Sequence, residues 1–371
     1  MKLSIERASL LRSLNHVQSV VERRNTIPIL SNVLMKADGD VLTFTTTDMD
    51  LEINESVAAN IDSEGATTVP AHTLYDIVRK LPDGSDVELT LNAEGTQMEV
   101  KAGRSKFKLS CLPTTDFPEL GAGELPTSFS IPAADMRALI DRTKFAMSTE
   151  ETRYYLNGIY LHEAEQDGVK VLRAVATDGH RLARFEMPLS DGAAGMPGII
   201  IPRKTIGELR KLVDEAADAI QIELSESKIR FAFDHIVLTS KLIDGTFPDY
   251  QRVIPQGNDK IVEVDAKMLT SAVDRVSTIS DGKSRAIKIA LNGKQMTVSA
   301  SSPDAGSATE EVEVNGETDI EIGFNAKYLL DITSQIEGEG CRLTLADPAS
   351  PTIIQDNSDA SALYVLMPLR V

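Results

Sequence analysis
Three similar α+β domains, each an antiparallel sheet with helices on one side, are expected from this chain of 371 residues. Three recurrences point to them. A strand running into an amphipathic helix opens each third, at LSIERASLLRSLNHVQSVV from Leu3, FSIPAADMRALIDRTKFAM from Phe129 and VEVDAKMLTSAVDRVSTIS from Val262, spaced 126 and 133 residues apart. A second such unit follows at TVPAHTLYDIVRKL from Thr68, IIPRKTIGELRKLV from Ile200 and GFNAKYLLDITSQI from Gly323, spaced 132 and 123 apart. Each third then closes on Phe or Met before proline, at Phe117-Pro118, Phe247-Pro248 and Met367-Pro368. One period held by three landmarks marks a module copied along the chain. The thirds run 1–125, 126–256 and 257–371, with GAGELPTS and IPQGNDK as linkers.

The elements follow in order from their periodicity. In a first helix over 9–24, Leu10, Leu14, Val17 and Val21 form one stripe, and Arg12, His16, Ser19 and Arg23 form another that faces water. A second helix over 71–80 sets Leu74, Ile77, Val78 and Leu81 against His72, Asp76 and Arg79. A third, 133–144, sets Met136, Leu139 and Ile140 against Arg137, Asp141 and Lys144. In the fourth, 202–213, Ile206, Leu209 and Val213 oppose Lys204, Glu208 and Lys211, with Arg203 and Arg210 alongside. The fifth and sixth span 265–275 and 325–336. Between them VELTLNAEGTQMEV, IQIELSESKIRFAF and CRLTLADPASPTIIQ alternate polar and apolar residues, as antiparallel hairpins do.

Charge is distributed unevenly over this pattern. The six helices carry +2, +1, +1, +3, 0 and 0, or +7 together, while 38 Lys and Arg against 56 Asp and Glu give the chain −18, leaving −25 elsewhere. Such a balance excludes a uniformly basic surface that coats nucleic acid and leaves room for a local basic face. No leader or uncharged apolar run of membrane-spanning length is visible, so a cytosolic protein is expected. Cys111 and Cys341 are too few for a disulfide framework or thiolate metal site and read as small buried hydrophobes. No phosphate-cradling, dinucleotide or common zinc motif occurs, and no metal or cofactor is expected. Thr177-Asp178-Gly179-His180-Arg181 gathers a carboxylate, an imidazole and a guanidinium, yet it reads more simply as a tight turn between AVAT and LARF. A strand alternates Arg104, Lys106 and Lys108 with Ser105, Phe107 and Leu109, while SATEEVEV offers Glu310, Glu311 and Glu313. These charges either protect sheet edges or pair between chains. The end, LYVLMPLRV, is apolar almost throughout and is either buried or part of a groove.

These residues carry a resemblance. Arg24 with TIPIL from Thr26, GATTVPA from Gly65, RYYLNG from Arg153, ATDGHRLA from Ala176, SKLIDGTFPDY from Ser240, GFNAKYLLD from Gly323 and the terminal YVLMPLRV resemble, in collinear order over the whole chain, the bacterial DNA sliding clamps, the beta subunits of DNA polymerase III. The resemblance implies a non-enzymatic ring of two chains joined head to tail, sheets outside and helices lining a central channel. Duplex DNA passes through that channel, and the ring tethers the polymerase to it. Twelve helices at about 10 Å spacing give a perimeter of roughly 120 Å and roughly 28 Å of clear bore, enough for a duplex of about 20 Å; six helices would leave only about 9 Å. A dimer is therefore required, and a head-to-tail interface must close after two copies.

Residue roles follow from the same source. The resemblance places Arg24, Tyr154 and Tyr155 near or on the DNA path, and the helix faces add Arg203 and Lys204 as the best basic candidates, with Arg79 and Arg210 beside them. His72 stands after VPA where the family often has basic residues, which makes the second helix a weaker contact. A hydrophobic pocket that receives short apolar peptides of the polymerase, clamp loader and other partners is implied at Arg153, Tyr155, Leu156, Thr177, Gly179, His180, Arg181 and Leu182. Pro248, Val253, Asn325, Tyr328, Val365, Met367, Pro368 and Leu369 complete it, while Ala349 and Pro351 fall where the family varies. At the dimer contact, Arg104, Lys106 and Lys108 are expected to meet Glu310, Glu311 and Glu313 of the other chain, with Phe107, Leu109 and Ile279 supplying apolar area. A hydrolase built on Asp178 and His180, and a scaffold that binds proteins alone, are the competing readings.

Overall fold
The computed structural model describes residues 1–121, 123–280 and 285–370. Ala122 in the first linker and the terminal Val371 lie outside them. Six α-helices occur among the described residues: α1 (Arg7–Gln18), α2 (Ala71–Lys80), α3 (Ala133–Thr143), α4 (Arg203–Val213), α5 (Ala266–Ser277) and α6 (Ala326–Thr333). Each follows directly on a strand. The start signals are local: Asp265 and Asn325 accept the backbone N–H groups of Met268 at 2.8 Å and Tyr328 at 3.2 Å, capping α5 and α6.

The first helix ends sooner than its periodicity suggests. The Ser19 hydroxyl turns back to the His16 carbonyl at 2.9 Å, and Val20 and Val21 close short turns on Val17 and Gln18. Arg23 and Arg24 therefore lie beyond α1 rather than on its polar face. The apolar stripes behave as expected: Leu10, Leu14, Val17, Leu74, Val78, Leu209, Val213, Leu269, Val273, Leu329 and Ile332 are fully buried. Each such side chain stabilises the fold by about 1.5–3 kcal/mol relative to exposure.

The described residues form two compact units. The first comprises 1–137, 190–197 and 204–242, where α1 packs on α2. A five-stranded sheet orders Asn60–Ser63, Lys2–Glu6, Asp86–Leu91, Gln97–Ala102 and Ser105–Ser110. An eight-stranded sheet continues from Leu51–Ala58 directly into Ile236–Lys241, with Asn54 opposite Val237. The second unit comprises 138–189, 198–203 and 243–371 and holds one twelve-stranded sheet, with α5 packed on α6. In it Arg181–Pro188 pairs with Ala362–Leu366, Leu182 opposite Val365. Sheets thus run across the boundaries of the expected thirds, because a strand left at a sheet edge is satisfied by pairing with the next repeat.

Within the first unit, part of what was expected to face water is buried. His16 sits between Glu55, 2.8 Å from Nδ1, and Glu215, 3.1 Å from Nε2. Ser13 donates to Glu55 at 2.9 Å, and Ser19 donates to the buried Glu208. His16 and Ser13 form a buried brace because strand Leu51–Ala58 supplies Glu55 and the turn after α4 supplies Glu215, while Arg12 and Arg23 of the same stripe stay exposed. Both cysteines are buried, and burial pushes the Cys341 thiol up to about 12, as a small hydrophobe requires. No described helix is long and apolar enough to cross a membrane.

Candidate functional site
The expected pocket residues all fall within the second unit. Its centre is the hairpin joining Val169–Thr177 to Arg181–Pro188. Thr177 Oγ1 donates to the Arg181 carbonyl at 2.7 Å, and Asp178 Oδ1 accepts the N–H groups of His180 at 2.9 Å and Arg181 at 3.1 Å. Gly179 occupies the tip at φ +88°, a conformation glycine adopts without strain. The other Asp178 oxygen binds Arg181 Nε at 3.1 Å, while the His180 ring stacks on Tyr328 with centroids 6.1 Å apart. The Asp178 carboxylate is thus spent on the turn backbone and on Arg181, as a tight turn predicts.

Arg181 differs from its expected role. It is only 8% exposed, and its remaining nitrogens donate to Asp331 at 2.5 Å and the Phe145 carbonyl at 2.6 Å. Its guanidinium lies 4.4 Å from the Tyr328 ring centroid and 5.2 Å from that of Phe145. With each of its three nitrogens engaged and its guanidinium against two rings, it fixes the wall. Beside it Leu156, Leu182 and Val365 belong to one buried cluster against which Tyr155 packs. Met367 is 39% exposed and Val253 is 49% exposed, two apolar side chains left to solvent next in sequence to buried Leu366 and Ile254. Pro248 is exposed; Arg153, Thr177, Asn325, Pro368 and Leu369 are half-buried. The end of the chain is tied down, Met367 N–H donating to His180 O at 2.9 Å and Leu369 N–H to Gly323 O at 2.8 Å. Phe145 and Asp331 were missed by sequence reasoning. Asp331 lies three residues after Tyr328 on α6, so it shares that face, but only the fold brings Arg181 to it.

The candidate DNA contacts divide between the units. In the first, Arg24 is exposed beyond α1, and Arg79 is exposed with Asp76 at 3.0 Å. His72 points inward: Nε2 hydrogen-bonds the Val21 carbonyl at 2.8 Å, one of the acceptors exposed where α1 unwinds. Lys204, the other correction, donates to Asp48 at 2.5 Å and the Val20 carbonyl at 3.2 Å, with Glu22 at 3.4 Å. Burial opposes its charge, but the Asp48 hydrogen bond and the two carboxylate charges prevail and hold the ammonium above its usual range. Arg210 pairs with Asp214 at 2.9 Å. In the second unit Tyr154 is 53% exposed and meets Tyr155 edge-on at 5.7 Å, and Arg203 is exposed.

The two charged strands each present an unpaired edge. Ser105–Ser110 ends the five-stranded sheet. Arg104 lies in the turn after Gly103, so the strand itself projects only Lys106 and Lys108; Lys106 binds Glu99 at 2.8 Å. Phe107 is exposed, whereas Leu109 is buried in its own sheet. In the second unit Gly306–Asn315 pairs along its length with Gln295–Ser302, but with Lys260–Asp265 only at Val314 and Asn315. Glu311 and Glu313 are exposed there, and Ile279 is half-buried. Glu310 already holds Arg275 Nε of α5 at 2.9 Å, which removes it from the free acidic set.

Comparison with known proteins agrees along the whole length. The DNA polymerase III beta subunit family matches in its N-terminal domain at 1–121, its central domain at 130–249 and its C-terminal domain at 251–370. The chain is 53% identical over 372 residues to the beta sliding clamp of Caulobacter vibrioides and 38% identical over 373 residues to that of Escherichia coli K12, covering all of both relatives. It superposes on the crystal structure of the Caulobacter crescentus beta sliding clamp with a TM-score of 0.98 at 53% identity, covering 100% of this chain and 99% of that one. A Bartonella birtlesii sliding clamp bound to griselimycin gives 0.97 at 50% identity, with complete coverage of both chains. Sequence and backbone together place the chain in the bacterial DNA polymerase III beta subunit family, the beta sliding clamps.

Proposed function
We propose that this sliding clamp works as a closed ring of two copies around duplex DNA, holding its polymerase there through the pocket at Met367 and Val253. The observation that carries the ring is the pair of unpaired strand edges with opposite charge, Lys106 and Lys108 on one and Glu311 and Glu313 on the other. A head-to-tail contact between them satisfies both edges, and repetition of that contact closes the ring. Arg24, Arg79 and Arg203 supply exposed cations that attract phosphates without reading bases, so the duplex is free to slide. Retention is topological and needs no tight binding. Opening the ring is the task of a separate ATP-driven loader, and no catalytic group is required here: Asp178 and His180 serve the turn.

The pocket has the chemistry of a peptide groove, buried aliphatic floor and exposed Met at the rim, and thioether side chains adapt to different apolar anchors. A Bartonella birtlesii sliding clamp binds griselimycin, and on this reading griselimycin should compete with such peptides for the pocket. The test is loading onto nicked circular DNA followed by linearisation. Clamp that stays on circles through a high-salt wash and leaves when ends are made supports the reading. Equal retention on circles and linear DNA refutes it.

A further inference from the structure
Pro248 and Val253 stand on a segment whose only regular structure is the short 3-10 turn Tyr250–Val253. Exposed loops of this kind usually fluctuate, so something must hold this one. Tyr250 is 5% exposed, and its hydroxyl accepts Nη1–H of Arg173 at 2.9 Å and lies 3.0 Å from Nε2 of His162. His162 Nδ1 is 2.7 Å from the Glu163 carbonyl oxygen. A carbonyl only accepts, so Nδ1 carries the hydrogen, the neutral ring's Nε2 is bare, and the Tyr250 O–H donates to it. A directed chain results, from Arg173 through Tyr250 and His162 to the Glu163 backbone. Arg173 is itself fixed by Glu186 at 2.8 Å and Gln166 at 3.3 Å. The rings reinforce it: His162 stacks on Tyr160 at 4.5 Å, and Tyr160 stacks on Phe247 at 4.9 Å.

We infer that Arg173, His162 and Tyr250 are positioning residues that preset the 247–254 wall of the peptide pocket, so that partner affinity depends on a hydroxyl lying beneath that wall. The inference rests on the pocket reading above. A wall fixed in advance spares the peptide the cost of ordering it, and releasing it weakens binding about tenfold. The network also has a sign with pH. Protonated His162 would direct a second donor at a Tyr250 oxygen that already accepts from Arg173, and the hydroxyl would lose its acceptor. Around that ring the charged and titratable groups are Arg173 and Glu186 on the neighbouring strands, Glu163 beside it, and Tyr160 and Tyr250. Burial first, then Arg173, keeps the imidazole below its ordinary value and neutral at pH 7.

The test is fluorescence anisotropy of the full-length clamp with a synthetic peptide bearing Leu and Phe anchors. Tyr250→Phe keeps the ring and loses the hydroxyl. Its Kd should rise about tenfold while dimer mass and retention on nicked circles stay unchanged, and His162→Leu, which removes the acceptor, should behave alike if Tyr250→Phe folds poorly. Wild-type affinity should fall as pH drops below about 6.5, and both variants should be flat there. A stability role alone would lower the melting temperature and leave Kd and its pH profile untouched. Wild-type binding that is sensitive to Met367→Ala but indifferent to Tyr250→Phe overturns the inference alone; wild type that binds no such peptide overturns the pocket reading and the inference with it.

Discussion
At the scale of single residues, side chains that look alike in sequence do different work once their acceptors are known. Arg181 donates to Asp178, Asp331 and the Phe145 carbonyl and stacks on Tyr328. Truncating it to methionine strands two carboxylates and should cost about 3 kcal/mol in urea unfolding. Lysine, with a single ammonium, should not restore this, so a stable Arg181→Lys variant would contradict the wall-fixing role of Arg181. His16 makes a pH prediction. Burial lowers its affinity for a proton, but hydrogen bonds and charges from Glu55 and then Glu215 outweigh this and raise its folded value above the ordinary one. A raised value means the brace is complete below about pH 6.5 and is lost as pH climbs through the folded value. Unfolding midpoints should therefore decline in wild type as pH rises above about 6.5, and His16→Gln should remove that slope. Neither role was legible in advance: helical spacing put His16 toward water, because nothing local announces a Glu55 arriving from 39 residues away.

Among elements, the helices were readable and the strand partners were not. Spacing of apolar residues found all six described helices, with α2 matching its expected bounds, since that pattern is local. Where α1 stops was not visible, because it depends on the Ser19 hydroxyl reaching His16 O. Strands carry the same alternation whichever neighbour they take, so the pairing of Leu51–Ala58 with Ile236–Lys241 is encoded only in the assembled fold. The alternating bases did identify Ser105–Ser110, though Arg104 belongs to the turn. Reversing Lys106 and Lys108 to Glu should give monomers in sedimentation, and adding Glu311→Lys with Glu313→Lys should recover the dimer. Persistence of the dimer in the first variant would refute the edge assignment. Since exposed ion pairs are each worth about 0.2–1 kcal/mol, the effect must come from like charges meeting across the whole edge.

For the molecule as a whole, the period of about 125 residues identified a triplicated module, and the family match extends over every third. Charge segregation between helices and the rest of the chain was likewise open to counting, but which cations remain available was not. Lys204 is held by Asp48 and Glu22 and His72 by Val21, which leaves Arg24, Arg79 and Arg203 as the exposed cations among the candidate contacts. Replacing these three by Glu should slow loading and weaken salt-sensitive association while preserving dimer mass; unchanged loading would move the DNA path elsewhere. The sheet shared by the first two repeats has a further consequence. Lys228 grips the carbonyl of Leu120 at 2.9 Å, and the ladder from Leu51–Ala58 to Ile236–Lys241 bypasses the covalent connection. A protease that severs the chain near residue 121 should thus yield two fragments that still elute together, separating only in denaturant.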